Sequence, residues 1–151
     1  MVSKLVIGIA VLAVAALAIG GLGFSSPATG NAVAGGETLK IPLSELSENA
    51  KWYEYNSGGT NIRFFAVKAQ DGSVKTAFDA CDVCYKSKKG YRQEGDYMVC
   101  NNCGKRFAIN SLGTENRNPG GCWPGYLPSY IEGSNLVIKN SDLDSNKWRF
   151  A

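Results

Sequence analysis

The chain is 151 residues long, with 16 Lys and Arg against 13 Asp and Glu, five cysteines and no histidine. Charges so nearly balanced give no electrostatic case for a nucleic-acid partner. Without an imidazole several classes fall away together: Cys-x-x-Cys-His haem attachment, histidine-ligated zinc or copper, a two-histidine Rieske cluster, and hydrolysis through a histidine base.

The N-terminal stretch reads as a membrane segment. After Met1-Val2-Ser3-Lys4, the run Leu5 to Phe24 is uncharged and rich in Ala, Val, Ile, Leu and Gly. At about 1.5 Å per helical residue it spans a hydrocarbon core of roughly 30 Å. Lys4, the only nearby charge, points to a cytoplasmic N-terminus and an exported remainder. The run exceeds an ordinary signal h-region, which favours a retained anchor over 1–24, although Ala32-Val33-Ala34 offers a small-residue cleavage site. Residues 25–36 are uncharged and rich in Ser, Pro, Ala, Thr, Gly and Asn, the composition of a flexible linker. Residues 37–151 are then the right size for one small exported domain.

That domain reads mostly as short strands. Thr38–Pro42 alternates, Ser44–Glu48 is at most a helical turn, and Lys51–Tyr55 is aromatic and strand-like. Asn61–Lys68 and Val74–Phe78 flank Gln70-Asp71-Gly72 and make a hairpin that delivers the chain into Cys81. A second hairpin, Tyr91–Gln93 with Tyr97–Val99, delivers Cys100; a third joins Tyr130-Ile131 to Leu136–Ile138. Trp148 and Phe150 are expected to fold back onto the body. The fold class is mainly β, a small zinc-ribbon-like domain with its site on loops at one end.

Chemistry concentrates in the cysteines. Cys81-Asp-Val-Cys84 and Cys100-Asn-Asn-Cys103 are separated by fifteen residues, and Cys122 follows Gly120-Gly121. Two such pairs facing each other can close a tetrahedral four-thiolate site, so Cys81, Cys84, Cys100 and Cys103 are the candidate ligands. With thiolates the only soft ligands at hand, the candidates are an iron–sulfur cluster, tetrahedral zinc or mononuclear iron. Two disulfides, or a redox Cys81/Cys84 pair, are rival readings in an exported chain. Cys122 lies outside both pairs; it could replace one ligand, act as a free thiol or pair with a partner, and as a possible accessory thiol its loss is expected to leave the metal in place. Lys86, Lys88, Lys89, Arg92, Lys105 and Arg106 surround the pairs and either stabilise thiolates or form a solvated basic face. Tyr85, Tyr91, Tyr97 and Phe107 are expected to shield the site and fill the core.

The runs Phe78-Asp-Ala-Cys-Asp-Val-Cys84, Lys89-Gly-Tyr-Arg-Gln-Glu-Gly-Asp96 and Val99-Cys-Asn-Asn-Cys-Gly-Lys-Arg-Phe107 resemble the membrane iron–sulfur family typified by FtrD of ferrous-iron uptake systems. Ile62–Phe65, Ile109-Asn110 and Gly120–Cys122 extend the resemblance over nearly the whole exported domain. It implies a membrane-attached domain that holds an iron–sulfur centre and passes electrons in iron acquisition. Cys81, Cys84, Cys100 and Cys103 match the family's ligands and Cys122 its trailing cysteine. Many relatives carry several membrane spans where this chain has one candidate. A fainter similarity to Rieske domains lies in the two ligand loops and the ending Gly125–Tyr130 and Glu132–Ile138, with Cys84 and Cys103 standing where histidines belong.

Together these features point to an electron carrier on the extracytoplasmic face of the cell membrane, anchored through Leu5–Phe24, rather than an enzyme with its own substrate. Its partner would be a redox protein in or on the membrane. A structural zinc module and a thiol–disulfide oxidoreductase are the alternatives.

Overall fold

The computed structural model describes Gly30, residues 33–118 and residues 120–151; the expected anchor and most of the expected linker lie outside the described residues. Eleven short strands form three antiparallel sheets among the described residues. The middle sheet has the order β3-β4-β5-β9, from Lys51–Ser57, Thr60–Lys68, Val74–Cys81 and Pro124–Tyr126. One outer sheet, β1-β2-β11-β10, uses Val33–Gly35, Thr38–Pro42, Asn135–Lys139 and Tyr130–Glu132. The other, β6-β7-β8, uses Tyr91–Glu94, Tyr97–Cys100 and Arg106–Ala108.

Each face of the middle sheet is covered, and the strand period decides which residue goes where. Side chains alternate across a strand. Ile62, Phe64 and Ala66 of β4 and Phe78 and Ala80 of β5 enter one core, with Leu39, Ile41, Leu136 and Ile138 of the first outer sheet. Phe65, Val67, Ala77 and Cys81 enter the other, with Tyr91, Met98, Cys100, Phe107 and Ile109. Burying a Phe or Ile side chain stabilises by about 1.5–3 kcal/mol each, so both layers hold to the middle sheet chiefly by apolar burial.

The three expected hairpins form as β4–β5, β6–β7 and β10–β11. Ser44–Glu48 gives one 3-10 turn, Leu43–Glu45. The stretch expected as a linker over 25–36 contributes Val33–Gly35 as β1, in register against β2. The C-terminal stretch is helical, with α1 at Asn140–Asp144 and a 3-10 turn at Lys147–Arg149, and further 3-10 turns lie at Tyr85–Ser87 and Ile109–Ser111. Phe150 packs into the first core against Phe78, whereas Trp148 stays half exposed, edge-on to Tyr85. Among the described residues no helix is long and apolar enough to cross a membrane.

Candidate metal centre

The cysteines arrive from three directions. Cys81 is the last residue of β5, and the chain turns at once so that Val83 N–H approaches the Cys81 sulfur at 3.4 Å. Cys84 follows, its carbonyl accepting from Ser87 N–H. Cys100 ends β7 and lies opposite Tyr91 in the β6–β7 register. The second turn closes through Gly104 N–H to the Cys100 carbonyl and Cys100 N–H to the Lys105 carbonyl. It then leans on the first: Asn101 N–H donates to the Gly90 carbonyl and Asn101 Nδ2 to that of Lys89.

Cys122 comes in on the far edge of the middle sheet. Pro124 pairs with Cys81, and Asp82 N–H donates to the Trp123 carbonyl, so Cys122 is delivered beside Cys81. The two sulfurs are 2.7 Å apart, and the Cys103 sulfur is 3.6 Å from that of Cys122. All five cysteines are free. The sulfurs of Cys81, Cys84, Cys100 and Cys122 all lie within 4.8 Å of one another, two on buried and two on half-buried residues. Cys103, assigned from sequence to the ligand set, is exposed and outside this tight group; Cys122, expected as an accessory thiol, is inside it.

Thiols so close cannot all ionise in the absence of a cation. Burial raises Cys81, but hydrogen bonds from Cys122 and from the Cys84 and Val83 backbone, with the Tyr91 hydroxyl close by, outweigh it and bring that thiol below its ordinary range. Burial pushes Cys122 well up, helped by Cys81 and Cys103. The Lys105 backbone N–H draws exposed Cys103 down. Cys84 is raised: the Asn102 side chain lowers it, but burial and the neighbouring Cys81 and Cys103 prevail.

Carboxylates near the sulfurs are already engaged. Asp79, buried, accepts from Tyr91 N–H at 2.7 Å and faces Arg63 at 3.4 Å; Asp82 pairs with Arg149 at 2.8 Å and accepts from Asn116. Thiolates are therefore the free donors, and they suit iron or zinc. Asp79 and Asp82 had no role in the sequence reading. A charge inside the apolar run Ala77-Phe78-Asp79-Ala80 was the available signal. Tyr91 is buried, its hydroxyl against the Cys81 sulfur without a well-formed hydrogen bond, and burial holds its phenol protonated as a donor. Phe107 and Tyr91 shield the centre as expected, while Tyr97 is exposed beneath Arg106. The six basic residues are exposed, and Arg92 and Arg106 are paired with Glu94. A cavity of about 180 Å³ between Arg63, Lys88 and Arg149 reaches Cys81, Cys84 and Cys100.

Layered β structure and converging thiols define a β domain whose cysteines could hold a metal ion. The family model described as "Membrane iron-sulfur containing protein FtrD-like" matches residues 46–150, more than half of the chain. The protein belongs to that family of membrane iron–sulfur proteins. A search of curated proteins returned no match.

Proposed function

We propose that this protein is a one-electron carrier that holds an iron–sulfur cluster on four thiolates and serves iron acquisition at the extracytoplasmic face of the membrane. The observation that carries the reading is the convergence of sulfurs, with no carboxylate free to compete for the metal. Iron bound by thiolates changes charge by one electron at little structural cost, and hydrogen bonds to sulfur with nearby charge set its potential. The chain's own residues suit that task. Tyr91 offers a proton donor beside Cys81, and Phe107 and Trp123 exclude water on one side. On the other side, the cavity past Arg63 and Arg149 leaves Cys84 near solvent, within reach of a redox partner. Membrane attachment rests on the uncharged run Leu5–Phe24 and on the family, and sidedness on Lys4. The Rieske-like comparison is supported by an ending hairpin, β10–β11, after the second cysteine turn.

A second reading, a single iron or zinc ion, is favoured by the size of the sulfur group. Four thiolates about 2.3 Å from one ion stand about 3.8 Å apart, compatible with separations below 4.8 Å. Anaerobic purification followed by iron, zinc and acid-labile sulfide analysis separates the readings. Iron with equimolar sulfide, visible absorption and a low-temperature spin resonance signal on reduction support the cluster. Iron without sulfide indicates the mononuclear site, and a colourless protein with one zinc rejects electron transfer.

A further inference from the structure

Five thiols converge where four ligands suffice, so one cysteine is left over. We propose that it is Cys103, and that Cys122 completes the ligand set with Cys81, Cys84 and Cys100. The assignment rests on the reading that the thiols hold a metal centre, and it reverses the role that the paired Cys-x-x-Cys spacing suggests for these two residues.

Three observations carry it. Distance comes first: the sulfurs of Cys81, Cys84, Cys100 and Cys122 are mutually within 4.8 Å, and Cys103 is not of that group. Exposure agrees, since Cys103 is exposed while Cys122 is half buried against the same core as Cys81 and Cys100. A ligand shielded from water keeps its bond to the metal, and closed sites draw on buried donors. Backbone support is the third. Cys122 is pinned by Asp82 N–H to the Trp123 carbonyl at 2.9 Å and by the Cys81–Pro124 pairing. Trp123 is fixed in turn, its Nε1 donating to the Thr114 carbonyl and its ring edge-on to Phe107 at 5.4 Å. Cys103 instead ends an exposed turn, between Asn102 and Gly104.

Cys103 thereby becomes the outer thiol of the loaded centre. It sits 3.6 Å from the Cys122 sulfur on an exposed residue, where an electrophile from solvent can reach it. In the metal-loaded protein it is the one cysteine open to covalent modification. Alkylation there forms a carbon–sulfur bond at the Cys103 thiolate and expels the halide of the reagent, without drawing on the metal.

The test treats the full chain, purified anaerobically in detergent with its metal, with iodoacetamide. Metal per chain is measured before and after, and the labelled residue is located by peptide mass spectrometry. One label per chain, on Cys103, with metal retained is the expected result. Cys122 labelled with Cys103 protected would overturn the assignment, as would both protected or both labelled with metal still bound. Two variants give a second readout: Cys103→Ser should keep most of the metal and Cys122→Ser should lose most of it, and the opposite pattern counts against the proposal. Iron and sulfide analysis of the same sample judges the cluster separately. Zinc in place of iron removes the electron-transfer reading and leaves the ligand assignment readable from the label. A chain that binds no metal and labels at every cysteine refutes both.

Discussion

Replacing Gly90 with alanine tests how the two cysteine turns are held together. Gly90 has φ +63, and a Cβ placed on it would stand 2.5–2.7 Å from the Asp79 carboxylate atoms. That carboxylate accepts the Tyr91 N–H at 2.7 Å, and the Gly90 carbonyl accepts from Asn101 N–H at 3.0 Å. A left-handed backbone at a non-glycine residue costs about 1–2 kcal/mol. Pushing Asp79 away also leaves a buried N–H without its acceptor, another ~1–3 kcal/mol. Gly90→Ala should therefore destabilise by about 2–5 kcal/mol, a large share of the roughly 5–15 kcal/mol of a small domain. Gly95→Ala is the control: its φ is +56, and nothing lies within 4 Å of the added methyl, so only the backbone cost of about 1–2 kcal/mol applies. Urea unfolding of both variants, followed by tryptophan fluorescence, measures the difference. With a urea slope of about 2 kcal/mol/M the midpoint should fall by ~1–2.5 M for Gly90→Ala and ~0.5–1 M for the control. Equal midpoints would refute the idea that the Asp79 contact, rather than the backbone alone, makes glycine necessary there.

Two further outcomes can be checked on the same material. Tyr53 is fully buried with no partner for its hydroxyl, and burial, with Glu45 nearby, raises its pKa from 10.0 to about 12. The native state thus holds that proton more tightly, so its contribution is complete below pH 10 and lost as pH rises toward 12. Tyr53→Phe should be neutral or slightly stabilising at pH 7 and should lose less stability than the parent between pH 9 and about 11; parallel urea midpoints across that range would contradict this. Arg149 pairs with Asp82 at 2.8 Å while its guanidinium lies over the Trp148 and Phe78 rings. Arg149→Met should cost about 1–2 kcal/mol and Arg149→Ala more, and a double-mutant cycle with Asp82→Asn showing coupling below about 0.3 kcal/mol would dismiss the ion pair as a contributor.

What sequence could and could not disclose follows from range. Hairpins such as β6–β7 were legible because turn residues and alternating strands are neighbours in the chain. β5 runs on to Cys81, past the expected end at Phe78, because a strand buried on both faces shows no polar alternation and Asp79 interrupts its apolar run. β8 and β9 are three residues each, and β9 opens with Pro124-Gly125, residues that ordinarily argue against a strand. Pairing of β9 with β5 joins segments far apart in sequence, and that pairing helps bring Cys122 to the centre. The two Cys-x-x-Cys turns were visible as a thiolate site; the exposure that separates Cys103 from the rest is a tertiary property.

Alternation along β5 also governs which length changes this protein can tolerate. Phe78 and Ala80 belong to one core, Ala77 and Cys81 to the other, and the final residue of the strand is the first cysteine of the centre. Inserting or deleting one residue between Val74 and Cys81 would invert every side chain beyond it and turn Cys81 toward the layer that holds Leu39 and Ile138. The change would break the first core and the thiol centre at once. The reverse turn at Gly95-Asp96 joins two strands within a single sheet and faces no such parity rule, so natural or engineered variation in length is expected to collect there rather than in the approach to the cysteines.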